Sequence, residues 1–338
     1  MSQLTINIYE DGGNPRLASD IIRTANGFLI RPVRTCSNMN VELVNPTNAP
    51  IETKIEIESG TLHESGLRDY LLLHSADDKI TFIDAPSIGT RQHAKFAVPP
   101  GAHCLCVNHR YEMARLERLL DSLDKGRFTV KAIGKTRMGR DMIGIEAGNP
   151  DKRPITFVMR IHPYETPGSF FAEGMLNWLN DTAEGAAFLK EHRLGIVPIA
   201  NPDGVAIGNS YLTYGGLNLS ADVRVTSEPE AVAIREFFLS LNPYLTIDFH
   251  GWMHRYDDNI TTSSLSRGKA VYEALIGHTH ALELQYSDYP LSGGKNNIGG
   301  IMIDCCGADF FNCSWTPRGR TVEQMHAIGV AFLKALAE

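Results

Sequence analysis

The chain has 338 residues, of which 43% are apolar and 21% charged, and a formal net charge of −7. These values are ordinary for a soluble globular protein, leave room for two domains, and give no support to nucleic-acid binding. No apolar run approaches the length of a membrane span, and the opening MSQLTINIYEDGG alternates like a strand instead of showing a signal peptide's basic start and apolar run. The six cysteines include no C-x-x-C pair, which fits reduced thiols in a cytoplasmic protein.

Residues 1–107 read as an all-β domain. Short runs at Leu4–Tyr9, Gly27–Pro32, Asn40–Val44, Ile51–Ile57, Tyr70–Leu73, Lys79–Ile83 and His93–Val98 are punctuated by Gly, Pro, Asn and Asp. The alternation in NVELV and IETKIEIE predicts half-buried antiparallel strands, and the set predicts a small sandwich.

From residue 108 to 338 the pattern changes. Tyr111–Leu123 has helical periodicity, and Thr129–Ile133 with Met142–Glu146 reads as a hairpin pair. Then come strand 155–161, helices 167–180 and 182–192, strand Gly195–Ile199, helix 229–241 and strand Tyr244–Phe249. Helix 266–282, strand Phe310–Trp315 and helix 322–337 complete the chain. Alternating strands and helices predict an α/β domain with a mixed, largely parallel sheet flanked by helices. Ser227 with Glu230, and Thr321 with Gln324, have capping-box spacing at two helix starts.

Chemistry concentrates at strand ends. ITFVMRIHPYETP, residues 155–167, carries an apolar strand into His162 and Glu165, three apart, and Pro167 then suits a first helical turn. GIVPIANPDG, residues 195–204, ends a second strand in a turn signature. YLTIDFH, residues 244–250, ends a third strand in His250. Such strand ends are where α/β sheets place their sites. Two neighbouring ligands and a distant third, with a fourth position open, is the layout of a catalytic zinc site. Asp248, two residues before His250, is a candidate to orient that imidazole.

RIHPYETPG, PIANPDGVAIGN and DFHG resemble, in this order, three motifs of the zinc carboxypeptidase superfamily, and most of all its cytosolic carboxypeptidase branch. That branch also carries an all-β domain ahead of the catalytic one. The resemblance implies a carboxypeptidase-like fold, zinc as cofactor with His162, Glu165 and His250 as its ligands, and hydrolysis of an amide bond in a peptide or small amide substrate.

Departures from the family cluster outside the ligands. Tyr211 stands where the family has an oxyanion-stabilising arginine. Asn218, Ser220 and Ala221 stand at the Asp, Asn and Arg of G-x-D-x-N-R, which orient a ligating histidine and grip the substrate's terminal carboxylate. Asn312 stands at the family's general-base glutamate, and an amide cannot take a proton from water at neutral pH. Glu323 and Asp309 are the candidates to replace that base, with Asp304, His254, Asp257 and Asp258 behind them. Arg160, Asn209 and Asn218 are the candidates for contacting substrate, and Arg137 and Arg140 are further candidates for holding an anion. Two expectations follow: a cytoplasmic zinc hydrolase with rebuilt surroundings, or a relative that binds zinc and a peptide or small ligand without hydrolysis.

Overall fold

A computed structural model gives the fold and describes residues 4–32, 39–58, 69–224, 227–251, 258–276, 284–288 and 296–337. The chain divides into two compact units, residues 1–113 with 204–211, and residues 114–203 with 212–338.

The first unit is built from β1 (Thr5–Asn7), β2 (Ile21–Thr24), β3 (Gly27–Ile30), β4 (Asn40–Asn45), β5 (Ile51–Glu58), β6 (Tyr70–Ser75), β7 (Ile80–Asp84), β8 (Ser87–Ile88), β9 (Arg91–Val98) and β10 (Gly101–Cys106). They form two five-stranded sheets in the orders β1-β4-β10-β6-β7 and β2-β3-β5-β9-β8. Pairing is antiparallel except between β3 and β5. In β5, Thr53, Ile55 and Ile57 are buried while Glu52 and Lys54 are exposed, so the alternation read from the sequence is one wet face and one dry. Strand β10, between β4 and β6, is not among the strands expected from the sequence. Its residues Cys104, Leu105 and Cys106 are all buried, so no alternation marks it.

The rest of the chain supplies α1 (Met113–Ser122), β11 (Phe128–Lys135), β12 (Asp141–Gly148), β13 (Ile155–Met159), α2 (Pro167–Asp181), α3 (Ala183–Glu191), β14 (Arg193–Val197), α4 (Pro202–Ala206), α5 (Leu219–Asp222), α6 (Pro229–Leu241), β15 (Leu245–His250), β16 (Asp258–Thr262), α7 (Leu265–Leu275), β17 (Leu284–Asp288), α8 (Ile298–Cys306), β18 (Asp309–Ser314) and α9 (Val322–Ala337). The strands make one eight-stranded mixed sheet, β11-β12-β14-β13-β15-β18-β16-β17. Its centre, β14-β13-β15-β18, is parallel. Every residue of β13 and β15 is buried, as befits parallel strands covered on both faces. On one face Phe157 and Phe249 stack at 6.1 Å, and Phe249 meets Phe171 of α2, Trp315 and Phe332 of α9. On the other, Val158 and Val197 pack with Ile234 and Phe238 of α6 and Ile301 and Met302 of α8.

Several local expectations need correction. Asn201-Pro202-Asp203-Gly204 opens the short helix α4 instead of a free turn, with Pro202 as its first residue. The N-cap of α6 is Glu228, not Ser227, and its carboxylate is paired with Arg137 at 2.9 Å. The Thr321–Gln324 box does form: Thr321 N–H donates to Gln324 Oε1 at 2.9 Å, and Gln324 N–H to Thr321 Oγ1 at 3.2 Å. The helix α8, IGGIMIDCC, is absent from the sequence reading because Gly299 and Gly300 look like a loop. Helix 266–282 is seen as α7, and residues 277–282 lie outside the described ones.

Candidate metal centre

Strand β13 sits between β14 and β15, and the chain passes from β13 to β14 on one side and then to β15 on the other. That reversal of direction opens a crevice at the carboxyl ends of the strands. Both halves of the candidate site lie there.

The first half is the segment from Arg160 to Thr166. Arg160 has φ of +58°, a left-handed conformation that swings the chain out of the strand. Arg160 as a whole is 2% exposed. It donates to the Pro163 carbonyl, at 2.8 Å from Nε, and to Ser169 Oγ at 3.1 Å. The Glu165 N–H closes the turn on the His162 carbonyl at 3.1 Å, and Asn201 Nδ2 donates to the Ile161 carbonyl at 3.4 Å. Ser169 and Asn201 as supports carry no sequence signal, because their role depends on the turn.

The second half is the end of β15. A Cβ on Gly251 would lie 2.8 Å from Pro167 Cδ and 3.1 Å from Glu165 Cα, so glycine after His250 is what lets the two ligand-bearing segments meet.

They meet on Glu165. His162 Nδ1 lies 2.9 Å from Glu165 Oε1, and His250 Nδ1 lies 2.9 Å from Glu165 Oε2. The imidazole centroids are 5.1 Å apart. Glu165 is fully buried, and His162 and His250 are 4% and 3% exposed. One ligand atom from each of the three residues falls within 4.8 Å of the others. The remaining ring nitrogens are also engaged. His162 Nε2 is 3.2 Å from Asn218 Oδ1, which also accepts from the Ser220 N–H at 3.0 Å as the N-cap of α5. His250 Nε2 is 3.1 Å from Asp248 Oδ2.

The electrostatics follow from this packing. Burial alone raises the pKa of Glu165, but the two facing imidazoles outweigh it and hold the carboxyl far below its usual range. Burial likewise lowers that of His250, but Asp248 and Glu165 outweigh it and hold the imidazole well above its ordinary value. Two imidazole nitrogens and a carboxylate oxygen turned inward, with Asn218 hydrogen-bonded behind His162 and the Asp248 carboxylate facing the back of His250, are a donor set that suits zinc.

The candidates for other roles are scattered. Asp309 opens β18 and pairs in register with Leu245, whereas His250 pairs with Ser314. Five residues of strand separate them, roughly 16 Å, and Asp309 instead faces Arg267 at 3.5 Å. Glu323 is an exposed first-turn residue of α9, a position that suits an acid for reasons of the helix dipole. Asp304 is exposed and paired with Arg224 at 2.6 Å. Asp258 is fully buried against Arg320. His254 and Asp257 lie outside the described residues.

Arg160, expected as an anion grip, is spent inside its own turn. Arg137 and Arg140 are paired with Glu228 and Asp203, each at 2.9 Å. Asn209 and Tyr211 belong to the other compact unit, and Asn209 Oδ1 accepts from the Ser210 N–H at 2.9 Å. Of the substrate candidates, Asn218 lies against a candidate metal ligand, His162. Ser220 is half-buried and Ala221 exposed. Asn312 is half-buried on β18, in register with Asp248. Cys104, Cys106, Cys305, Cys306 and Cys313 are free thiols, and Cys36 lies outside the described residues. None of the described helices is long and apolar enough to cross a membrane.

Comparison with known proteins adds to this geometry. The zinc carboxypeptidase family profile matches residues 114–221, a segment that holds His162 and Glu165 and stops short of His250. Cytosolic carboxypeptidase 6 of Mus musculus is 26% identical over 162 residues, covering 43% of this chain and 30% of that protein. Cytosolic carboxypeptidase 2 of Danio rerio is 35% identical over 74 residues, 22% of this chain and 10% of that one. The chain thus spans about a third or less of the length of these relatives. A metallo-carboxypeptidase from Burkholderia cenocepacia has the same fold, with a TM-score of 0.84 over 99% of this chain and 98% of its own at 18% identity. One from Pseudomonas aeruginosa, in complex with (2-guanidinoethylmercapto)succinic acid, gives 0.82 over 98% of each chain, also at 18%. The chain therefore has the fold of these metallo-carboxypeptidases, its residues 114–221 match the zinc carboxypeptidase family, and it is similar in sequence to the cytosolic carboxypeptidases.

Proposed function

We propose that this protein is a cytoplasmic zinc-dependent hydrolase of the carboxypeptidase type, cleaving an amide bond in a peptide or acylamino substrate. The observation that carries this reading is the convergence of His162 Nδ1 and His250 Nδ1 on opposite oxygens of the Glu165 carboxylate, each at 2.9 Å. Zinc bound by these three residues would supply a Lewis acid and a water of lowered pKa.

The chain's own residues do the rest of the work. Asn218 Oδ1 accepts the His162 Nε2–H, which leaves Nδ1 with a lone pair facing inward. Arg160 fixes the turn that aims His162 and Glu165. Neither Ser220 nor Ala221 offers the cation that would grip a terminal carboxylate, and Arg137 and Arg140 are paired with acids. The substrate class this favours does not depend on a free C-terminal carboxylate for binding. Asn312 offers N–H donors to a substrate carbonyl but cannot serve as a base. Losing a general base typically costs about 10²–10⁴-fold in rate, so a slow hydrolase is expected.

A second reading has its own support. Asn312, Tyr211 and Ala221 together suit a relative that holds zinc and binds a peptide or small ligand without cleaving it. One experiment separates the two. The zinc-loaded protein is offered a panel of peptides, C-terminally blocked peptides and N-acyl amino acids, beside an H162A control. Zinc-dependent cleavage that H162A loses supports the hydrolase. Binding of a panel member with no turnover supports the second reading.

A further inference from the structure

We propose that Asp248 is a positioning residue for His250, and that its negative charge, more than its shape, sets how tightly the centre holds a divalent ion. The inference rests on the zinc reading above. Asp248 and His250 lie two apart on β15 and so point to the same face. His250 Nε2 is 3.1 Å from Asp248 Oδ2, a contact that lacks hydrogen-bond alignment. Asp248 is fully buried. Neither of its oxygens has a hydrogen-bond partner among the described residues. Burying a carboxylate without a hydrogen-bond donor is costly. The charged contact the structure gives it is with the His250 ring, so its charge is presented there.

The neighbour is the ring whose other nitrogen faces Glu165. A carboxylate behind Nε2 keeps the proton on that side, leaves Nδ1 as the inward lone pair and raises its basicity as a ligand. The two imidazoles then have unlike partners, because Asn218 behind His162 is a neutral amide already shared with the Ser220 N–H. Glu165 and Asp248 together bring two negative charges into a buried space, the number that balances one divalent cation.

The test is the D248N variant of the full chain, which keeps the shape and removes the charge. Zinc affinity is read by competition with a chromophoric chelator. The cobalt-substituted visible spectrum and the Tm of the metal-free protein are measured beside it. The expected result is a 10–100-fold weaker hold on zinc, shifted cobalt bands, and a metal-free Tm within a few degrees of wild type. A variant that binds zinc as tightly as wild type would overturn the inference and leave the zinc reading standing. A variant that fails to fold, or whose metal-free Tm falls steeply, would also overturn it, since Asp248 would then be holding the fold. If the wild type takes up no zinc, the zinc reading falls and this inference with it.

Discussion

Asn312 stands directly across from Asp248 on neighbouring parallel strands, in the register that pairs Ser314 with His250. Residues in register on parallel strands face the same side of the sheet, so an amide occupies the flank of the candidate centre. The expected outcome is that Asn312→Glu, by placing a proton acceptor there, raises kcat/KM on a peptide substrate by about 10²-fold or more, while Asn312→Ala changes it much less. Steady-state kinetics of the zinc-loaded proteins checks this. A glutamate that leaves the rate untouched would show that position 312 does not face the reacting bond.

Removing a ligand tests the centre itself. His162→Ala or His250→Ala is expected to lose most of the bound zinc, measured as metal per chain after dialysis. A chelator is expected to lower the Tm of the wild type, because an ion bound to the folded state alone stabilises it by mass action. The two alanine variants should show no such chelator effect.

Arg160 is expected to act through the turn. Its side chain donates to the Pro163 carbonyl and to Ser169 Oγ in a buried setting, and its backbone is left-handed. Arg160→Ala should destabilise the protein by on the order of 3 kcal/mol, since buried acceptors lose charge-assisted bonds. Zinc affinity should weaken with it. Denaturant melts and the chelator competition measure the two effects, and a variant that keeps both would remove Arg160 from the account.

Acid stability offers a test away from the centre. Glu173 on α2 accepts from Arg115 Nε and Nη2 at 2.9 and 2.7 Å, and His326 lies 3.3 Å away on α9. Burial raises its pKa, but Arg115 and His326 outweigh that and bring it from 4.5 to about 2. A depressed folded pKa gives stability that is complete above about 4.5 and is lost as pH falls toward 2. Glu173→Gln should therefore cost on the order of 2–3 kcal/mol at neutral pH and flatten the decline in Tm between pH 5 and pH 2.5, in about that window. A variant that declines as steeply as wild type would exclude Glu173 as a source of the acid sensitivity.

The three candidate ligands are legible because each belongs to a strand-end motif, and a buried parallel strand announces itself as an unbroken apolar run. The Thr321–Gln324 cap was legible because its signal is local. Glu228 as the cap of α6 was not, since its carboxylate is drawn off by Arg137, which lies 91 residues away in sequence. Asp309 is a neighbour of Asn312 in sequence, yet a strand puts them at different depths, and only the register with β15 shows which end lies beside His250. Arg160 looked like a free cation because no pattern reveals that its own turn consumes it. Residues 204–211 group with the first unit although they follow Asp203 of the second without a break, and contacts that distant in sequence leave no periodic trace.

The account turns on one ion held by His162, Glu165 and His250. The most direct measurement is an anomalous difference map at the zinc edge from crystals grown with zinc. The account predicts a single strong peak bonded to His162 Nδ1, His250 Nδ1 and the Glu165 carboxylate. A map with no peak there, or with the two imidazoles turned away from Glu165, would contradict it.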